Sequence, residues 1–136
     1  MVIPRELDQG ECLQVLAQHK IGRLALCTTQ GPRVFPVNYV VDDTSLVFRT
    51  SPYGAIAREA EADTETAFEV DHVDEETRTG WSVLVVGKLE VIDDPHDLLS
   101  LQNNPQPWAG GSRTLYLRLR WRLISGRSVE LAPRAR

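Results

Sequence analysis

Residues 49–54, with the sequence RTSPYG, combine several groups that bind anions. Arg49 ends a run of strand-forming residues, Thr50 and Ser51 add two hydroxyls, and Pro52 suits the first turn of a helix that Ser51 would cap. A guanidinium, two hydroxyls and the free backbone N–H groups of a helix start would then meet. The spacing predicts a phosphate site; the alternative is a surface helix cap with its arginine facing solvent.

The rest of the chain offers no residues with the spacing of a familiar catalytic or metal site. The histidines, His19, His72 and His96, are scattered, and none has a partner at metal-ligand spacing. The sequence contains no G-x-S-x-G, P-loop or dinucleotide-binding motif. Any enzymatic chemistry is therefore expected to come from a bound cofactor that the protein holds and orients.

The hydrophobic pattern predicts mainly strands around these groups. Helices are expected over residues 8–20, 52–62 and 94–101, and strands over residues 24–29, 33–41, 45–50, 66–73, 80–92 and 114–124, with a short terminal strand over 129–131. Pro36 indicates an edge or a bulge, because proline cannot donate to a ladder. Gly87 indicates a bend of the kind that barrels need at their corners. Short hairpins favour an antiparallel β-barrel decorated by helices over a parallel sheet.

Charged residues on two of these strands suggest a cross-strand pairing. Arg118, Arg120 and Arg122 alternate with apolar residues and are expected to form a solvated outer face. Glu69 and Asp71 share one face of the strand over 66–73. We predict that the arginines pair with these two carboxylates across strands.

Composition excludes some classes of protein. The 136 residues carry a formal net charge of −4, which argues against a nucleic-acid-binding protein. The chain contains no apolar run of transmembrane length, and its first residues lack the pattern of a signal peptide. Cys12 and Cys27 are expected to be reduced core thiols. These features predict one domain over residues 1–136 in a cytoplasmic protein with no membrane partner.

The order of six segments resembles a known family. IGRLAL, GPRVFPVNY, LVFRT, FEVD, GWSVLVVG and ISGR follow one another over residues 12–128 as in the pyridoxamine 5′-phosphate oxidase-like flavin-binding split-barrel proteins. The nearest likeness is to the small bacterial branch that includes nitroimidazole-reductase-like proteins. The resemblance implies a six-stranded antiparallel Greek-key split β-barrel with two or three short helices. It also implies a homodimer that holds FMN in two clefts between subunits.

The resemblance also implies which residues contact the cofactor. Those expected at the isoalloxazine ring are Val34, Pro36, Val37 and Asn38. Those expected at the ribityl chain and phosphate are Arg49, Thr50, Ser51, Tyr53 and Gly54. Trp81 and Trp108 are expected near the cleft from the other subunit, followed by Arg127. A small organic molecule would be the substrate, and the protein would pass hydride or electrons to it from the flavin.

One departure from the family pattern bears on the cofactor. Many members have a Ser-Lys or Thr-Lys pair just after the glycine, where this chain has Gly54-Ala55-Ile56. Arg49, helped by Arg58 one turn on, must then balance the phosphate. Ile56 would alternatively face the barrel core. Three alternatives therefore stay open for the cofactor: FMN, a deazaflavin coenzyme or none. Three also stay open for the function: an oxidoreductase, a binding module without turnover or a cofactor-free dimer. The basic residues that hold the substrate phosphate in pyridoxamine-phosphate oxidases are not evident, and we do not predict that activity.

Overall fold

The computed structural model of the chain describes residues 2–62, 64–107 and 113–131. Its elements, in chain order, are β1 (Val2–Leu7), α1 (Gln9–Gln18), β2 (Ile21–Thr28), β3 (Gly31–Asn38), β4 (Val40–Asp42), β5 (Ser45–Thr50), α2 (Ala55–Glu61), β6 (Glu65–Asp74), β7 (Thr79–Val91), α3 (Pro95–Ser100) and β8 (Leu115–Leu131). No helix in these ranges is long and apolar enough to cross a membrane.

The strands form one antiparallel sheet with the order β3-β2-β6-β7-β8-β5-β4, and β1 adds to β8. The sheet curls into a split barrel, which confirms the predicted fold class. The described residues contain eight strands where six were expected. Of the two additional strands, β1 was missed because Pro4 and a mostly exposed surface hide its strand pattern, and β4 was included in the strand predicted over residues 33–41.

The core lies inside the curl of the sheet. Fully buried side chains from five strands contribute to it, namely Leu24, Phe48, Phe68, Val85 and Leu117. The predicted bend at Gly87 is confirmed, because the β7–β8 register shifts between Val86 and Gly87. A Cβ on Gly87 would lie 2.1 Å from the carbonyl oxygen of Arg120, so only glycine fits there.

Helix α1 closes one end of the barrel. The Asp8 side chain accepts a bond from the backbone N–H of Glu11 at 2.8 Å, and the Glu11 side chain accepts one from the backbone N–H of Asp8 at 3.1 Å, which together form a capping box at the start of α1. Arg5 of β1 pairs with Glu11 and Glu130 and lowers the pKa of both carboxyls. The buried Tyr39 hydroxyl donates to the carbonyl oxygen of Leu16 at 2.7 Å, which fixes α1 on the sheet.

The predicted pairing of the basic stripe with Glu69 and Asp71 was wrong. Those carboxylates contact Arg23 at 2.8 and 3.1 Å, because Arg23 lies directly opposite Glu69 on the neighbouring strand. The arginines of β8 have other partners, which are Asp42 for Arg118, Glu90 for Arg120 and Glu65 for Arg122.

Replacing Tyr39 by Phe should lower the free energy of unfolding by about 1 kcal/mol, because the carbonyl of Leu16 loses a buried donor while the ring contact with Phe68 stays. Urea unfolding of the variant and the wild type measures the difference. Tyr53→Phe is the matched control, because Tyr53 is 88% exposed and should change nothing. Equal midpoints for Tyr39→Phe and wild type would contradict the role given to this bond.

Candidate functional site

A cleft of about 300 Å³ lies between the edge of β3 and the end of β5. Its size is at the lower end of the range of ligand pockets. The strands supply Phe35, Pro36, Val37, Asn38, Arg49 and Thr50. The turn and helix after β5 supply Ser51, Gly54, Ala55 and Ile56, and the segment before β8 supplies Pro105, Pro107 and Arg113. The predicted edge position of Pro36 is confirmed, because β3 is the last strand of the sheet.

The cleft brings together most of the predicted site residues, namely Pro36, Val37, Asn38, Arg49, Thr50, Ser51 and Gly54. Two others lie outside it: Val34 is on the outer face of the sheet with 62% of its surface exposed, and Tyr53 points to solvent. Trp81 and Arg127 line a different cavity. Trp108 lies outside the described residues.

The predicted helix start at Pro52 was wrong. Helix α2 begins at Ala55 and has seven residues, and its N-cap Gly54 offers no side chain. Ser51 instead begins a turn: its hydroxyl accepts from the N–H of Tyr53 at 3.3 Å, and its carbonyl accepts from the N–H of Gly54 at 3.3 Å. This local turn competes with the helix for the same backbone groups.

Arg49 holds the wall of the cleft together. Its Nε donates to the carbonyl oxygen of Arg113 at 3.0 Å, and a terminal nitrogen donates to the carbonyl oxygen of Asn103 at 3.4 Å. Its guanidinium also lies over the ring of Tyr116, 4.9 Å from the centroid. Arg49 therefore joins the end of β5 to the segment that precedes β8.

Arg113 is a cleft residue that sequence reasoning missed. Arg113 follows a segment whose composition predicts a loop, and it precedes the alternating residues of β8. No sequence motif therefore indicates it. Its Nε is shielded from solvent and has no hydrogen-bond partner. A buried cationic donor without a partner is costly, which makes Arg113 the least satisfied group at the site.

The charge of the cleft is positive. Arg49 and Arg113 line it together with the hydroxyls of Thr50 and Ser51, and no Asp or Glu occurs among its described lining residues. Phe35 and Val37 give the opposite wall an apolar surface that packs against the barrel core. The arrangement suits an elongated ligand with an anionic group at one end and a flat apolar group at the other.

The two largest of the cavities lined by described residues, of about 610 and 850 Å³, lie on the outer face of the sheet. They share Glu69, Ser82 and Arg127, and the first is also lined by Asp71, Asp74 and Glu75. Burial, together with the neighbouring Asp71, raises the pKa of Glu69 even though Arg23 pairs with it. The carboxylates of the first cavity outnumber its arginines, Arg78 and Arg127, and the second cavity sets Glu6 and Glu69 against Arg5 and Arg127. Neither cavity has the excess of positive charge that the smaller cleft has, so the smaller cleft is the better candidate site for an anionic ligand.

Ile56 occupies the position at which the family pattern has a lysine. It is 7% exposed, and it belongs to the hydrophobic core as well as to the floor of the cleft. The alternative interpretation, that Ile56 faces the core, is therefore correct. Within the described ranges, no cluster of His, Cys, Asp or Glu could hold a metal ion.

Known proteins are similar to this chain in sequence and in fold. The sequence profile of the family described as pyridoxamine 5′-phosphate oxidase matches residues 8–128. An uncharacterised protein of Mycobacterium tuberculosis is 30% identical over 125 residues, which are 89% of this chain and 82% of that protein. An FAD-binding protein from Mycobacterium smegmatis is 28% identical, with a TM-score of 0.78 over 93% of this chain and 98% of its own. An FAD-binding protein from Mesorhizobium loti is 26% identical, with a TM-score of 0.77 over 96% of this chain and 100% of its own.

Introducing the lysine by Ile56→Lys should lower the free energy of unfolding by about 2 kcal/mol or more, because an ammonium would replace a buried side chain. Melting midpoints without ligand measure the effect. Ile56→Met is the control for altered packing without charge and should cost less than about 1.5 kcal/mol. A lysine variant as stable as the methionine variant would show that this position does not require an apolar side chain.

Proposed function

Because the chain belongs to the pyridoxamine 5′-phosphate oxidase family, we propose that it is a flavin-binding oxidoreductase. The cofactor we propose is FMN, and the activity is transfer of hydride or electrons to a small organic acceptor. The observation that carries this proposal is the cleft, which unites the apolar edge of β3 with Arg49, Thr50, Ser51 and Arg113.

The residues of the cleft fit a flavin nucleotide. Two guanidinium groups and two hydroxyls suit the phosphate, and an anion beside Arg113 would offset the cost of its shielded, unpartnered Nε. Phe35, Pro36 and Val37 offer an apolar wall to an aromatic ring. These properties follow from the side chains themselves, and they support a flavin independently of the relatives.

In the proposed reaction, the protein itself binds and orients the flavin. Because β3 has a hydrogen-bonded neighbour on one side only among the described strands, backbone N–H and C=O groups on its other side can face a ligand. A bound flavin supplies the redox chemistry, so no side chain of the cleft needs to act as a general acid or base.

Two alternatives rest on specific observations. The relatives from M. smegmatis and M. loti are named as FAD-binding proteins, so FAD is the second candidate for the cofactor, beside a deazaflavin. The same cleft residues would hold a flavin in a binding module without turnover, which is the second candidate function.

The absorbance spectrum of the purified protein tests the proposal. We expect a band at about 450 nm for a flavin, which NADH or NADPH should bleach and an organic acceptor should restore. A band at about 420 nm would identify a deazaflavin instead. A stable flavin band that never bleaches would support the binding module, and failure to bind any flavin on reconstitution would overturn the proposal.

We also propose that the protein works as a homodimer. An apolar row crosses the outer face of five neighbouring strands and consists of Val34, Ala25, Ala67, Val86 and Leu123. Ion pairs flank this row on both sides. Arg23 pairs with Glu69 and Asp71 on one side, and Arg122 pairs with Glu65 on the other. An apolar centre with a charged rim is the composition of a protein interface. A second copy covering this row could also bring Trp81 and Arg127 to the partner's cleft, as the family resemblance implies.

Sedimentation at micromolar concentration should give twice the mass of one chain, and Leu123→Glu should shift the protein to a monomer, because it places a charge in the apolar row. Leu99→Glu is the matched control: Leu99 is more exposed than Leu123 and lies on α3, away from the row. A monomeric wild type, or the same shift in both variants, would contradict this interface.

A further inference from the structure

We infer that Arg113 is the second cation of the phosphate site and supplies the charge that the family lysine supplies elsewhere. This inference rests on the proposed function, since it assigns the ligand's phosphate to a residue that no sequence motif indicates. The group that Arg113 would bind is a phosphate on a ribityl chain, which FMN, FAD and deazaflavin coenzymes all have.

The state of the guanidinium is the first argument. The Nε of Arg113 is buried and unpartnered, and the described residues form no ion pair with its side chain. Because the Nε is shielded from solvent, a ligand in the cleft would accept from the terminal nitrogens of the guanidinium, and its negative charge would offset the cost of the shielded Nε. Arginine also presents its donors as a planar fork that matches phosphate oxygens.

The comparison with Arg49 is the second argument. Two nitrogens of Arg49 already donate to the carbonyl oxygens of Arg113 and Asn103, and its plane lies over Tyr116. Part of its donor capacity is therefore used within the chain. Its bond to the Arg113 carbonyl fixes the backbone of Arg113, so Arg49 acts partly as a positioning residue for the second cation.

The third argument is the position of Ile56. A lysine from α2 is excluded because this side chain packs into the core. Arg113 reaches the same cleft from the segment before β8, which is a different wall. The chain thus places a second positive charge at the site without placing one on the inward side of α2.

The test compares binding of FMN and riboflavin, which differ by the phosphate, to Arg113→Met and wild type. We expect the variant to lose about tenfold or more in FMN affinity, because a charge-assisted bond is lost, and to keep its riboflavin affinity. Its melting midpoint without ligand should be unchanged or higher, because an unsatisfied buried donor has been removed. Arg113→Lys should recover part of the FMN affinity.

Arg33→Met is the matched control. Arg33 lies on β3 three residues before Pro36, stacks on Phe35 and does not line the cleft. Arg33→Met removes one positive charge near the site, as Arg113→Met does. An equal loss of FMN affinity in the two variants would therefore show a general effect of charge and overturn the inference. Arg49→Met should lose FMN affinity and also melt earlier, since it releases two carbonyl contacts.

Several results would separate this inference from the proposed function. If wild type binds FMN and Arg113→Met binds it equally well, or loses FMN and riboflavin affinity alike, the assignment of Arg113 is wrong and the flavin proposal stands. If Arg113→Met melts earlier without ligand, its role is structural. If wild type binds neither FMN, FAD, riboflavin nor a deazaflavin, the proposed function fails and the assignment fails with it.

Discussion

The candidate site depends on the curl of the sheet. β3 and β5, which form two of its walls, are separated by four strands along the hydrogen-bonded order, and they meet because the long β7–β8 pair bends. The bulge at Gly87 allows that bend, since the carbonyl oxygen of Arg120 occupies the space of a side chain. A flat sheet would leave Val37 and Arg49 far apart and would form no cleft.

Much of the fold could be predicted from the sequence, because alternation and turn chemistry are local signals. The edge position of Pro36 and the bulge at Gly87 follow from such patterns, whereas Leu123, which continues the apolar alternation of β8, lies on the outer face because the register shifts at the bulge. The start of α2 was placed too early, because Ser51 and Pro52 suit either a helix cap or a turn and only the surrounding structure selects the turn.

The site could be predicted only in part, for a physical reason. Residues 36–38 and 49–51 belong to segments whose types and order carry the family pattern, so they were found together. Arg113 is distant from them in the chain and enters the cleft through a segment with no regular pattern. The ion pairs of the β8 arginines were missed for a similar reason, since their partners depend on strand order and register.

The distribution of charge explains how a chain with net charge −4 can hold an anion. Its carboxylates line the outer-face cavities and pair with surface arginines, whereas the cleft has two arginines and no carboxylate among its described lining residues. Within a partly enclosed site the nearest charges dominate, because distant surface charges are screened within about 8 Å at physiological ionic strength. Recognition of a phosphate is then set by the separation and hydrogen bonding of Arg49 and Arg113. Since these residues belong to β5 and to the segment before β8, a ligand that contacts both also joins two walls of the barrel and stabilises the fold through its own binding free energy.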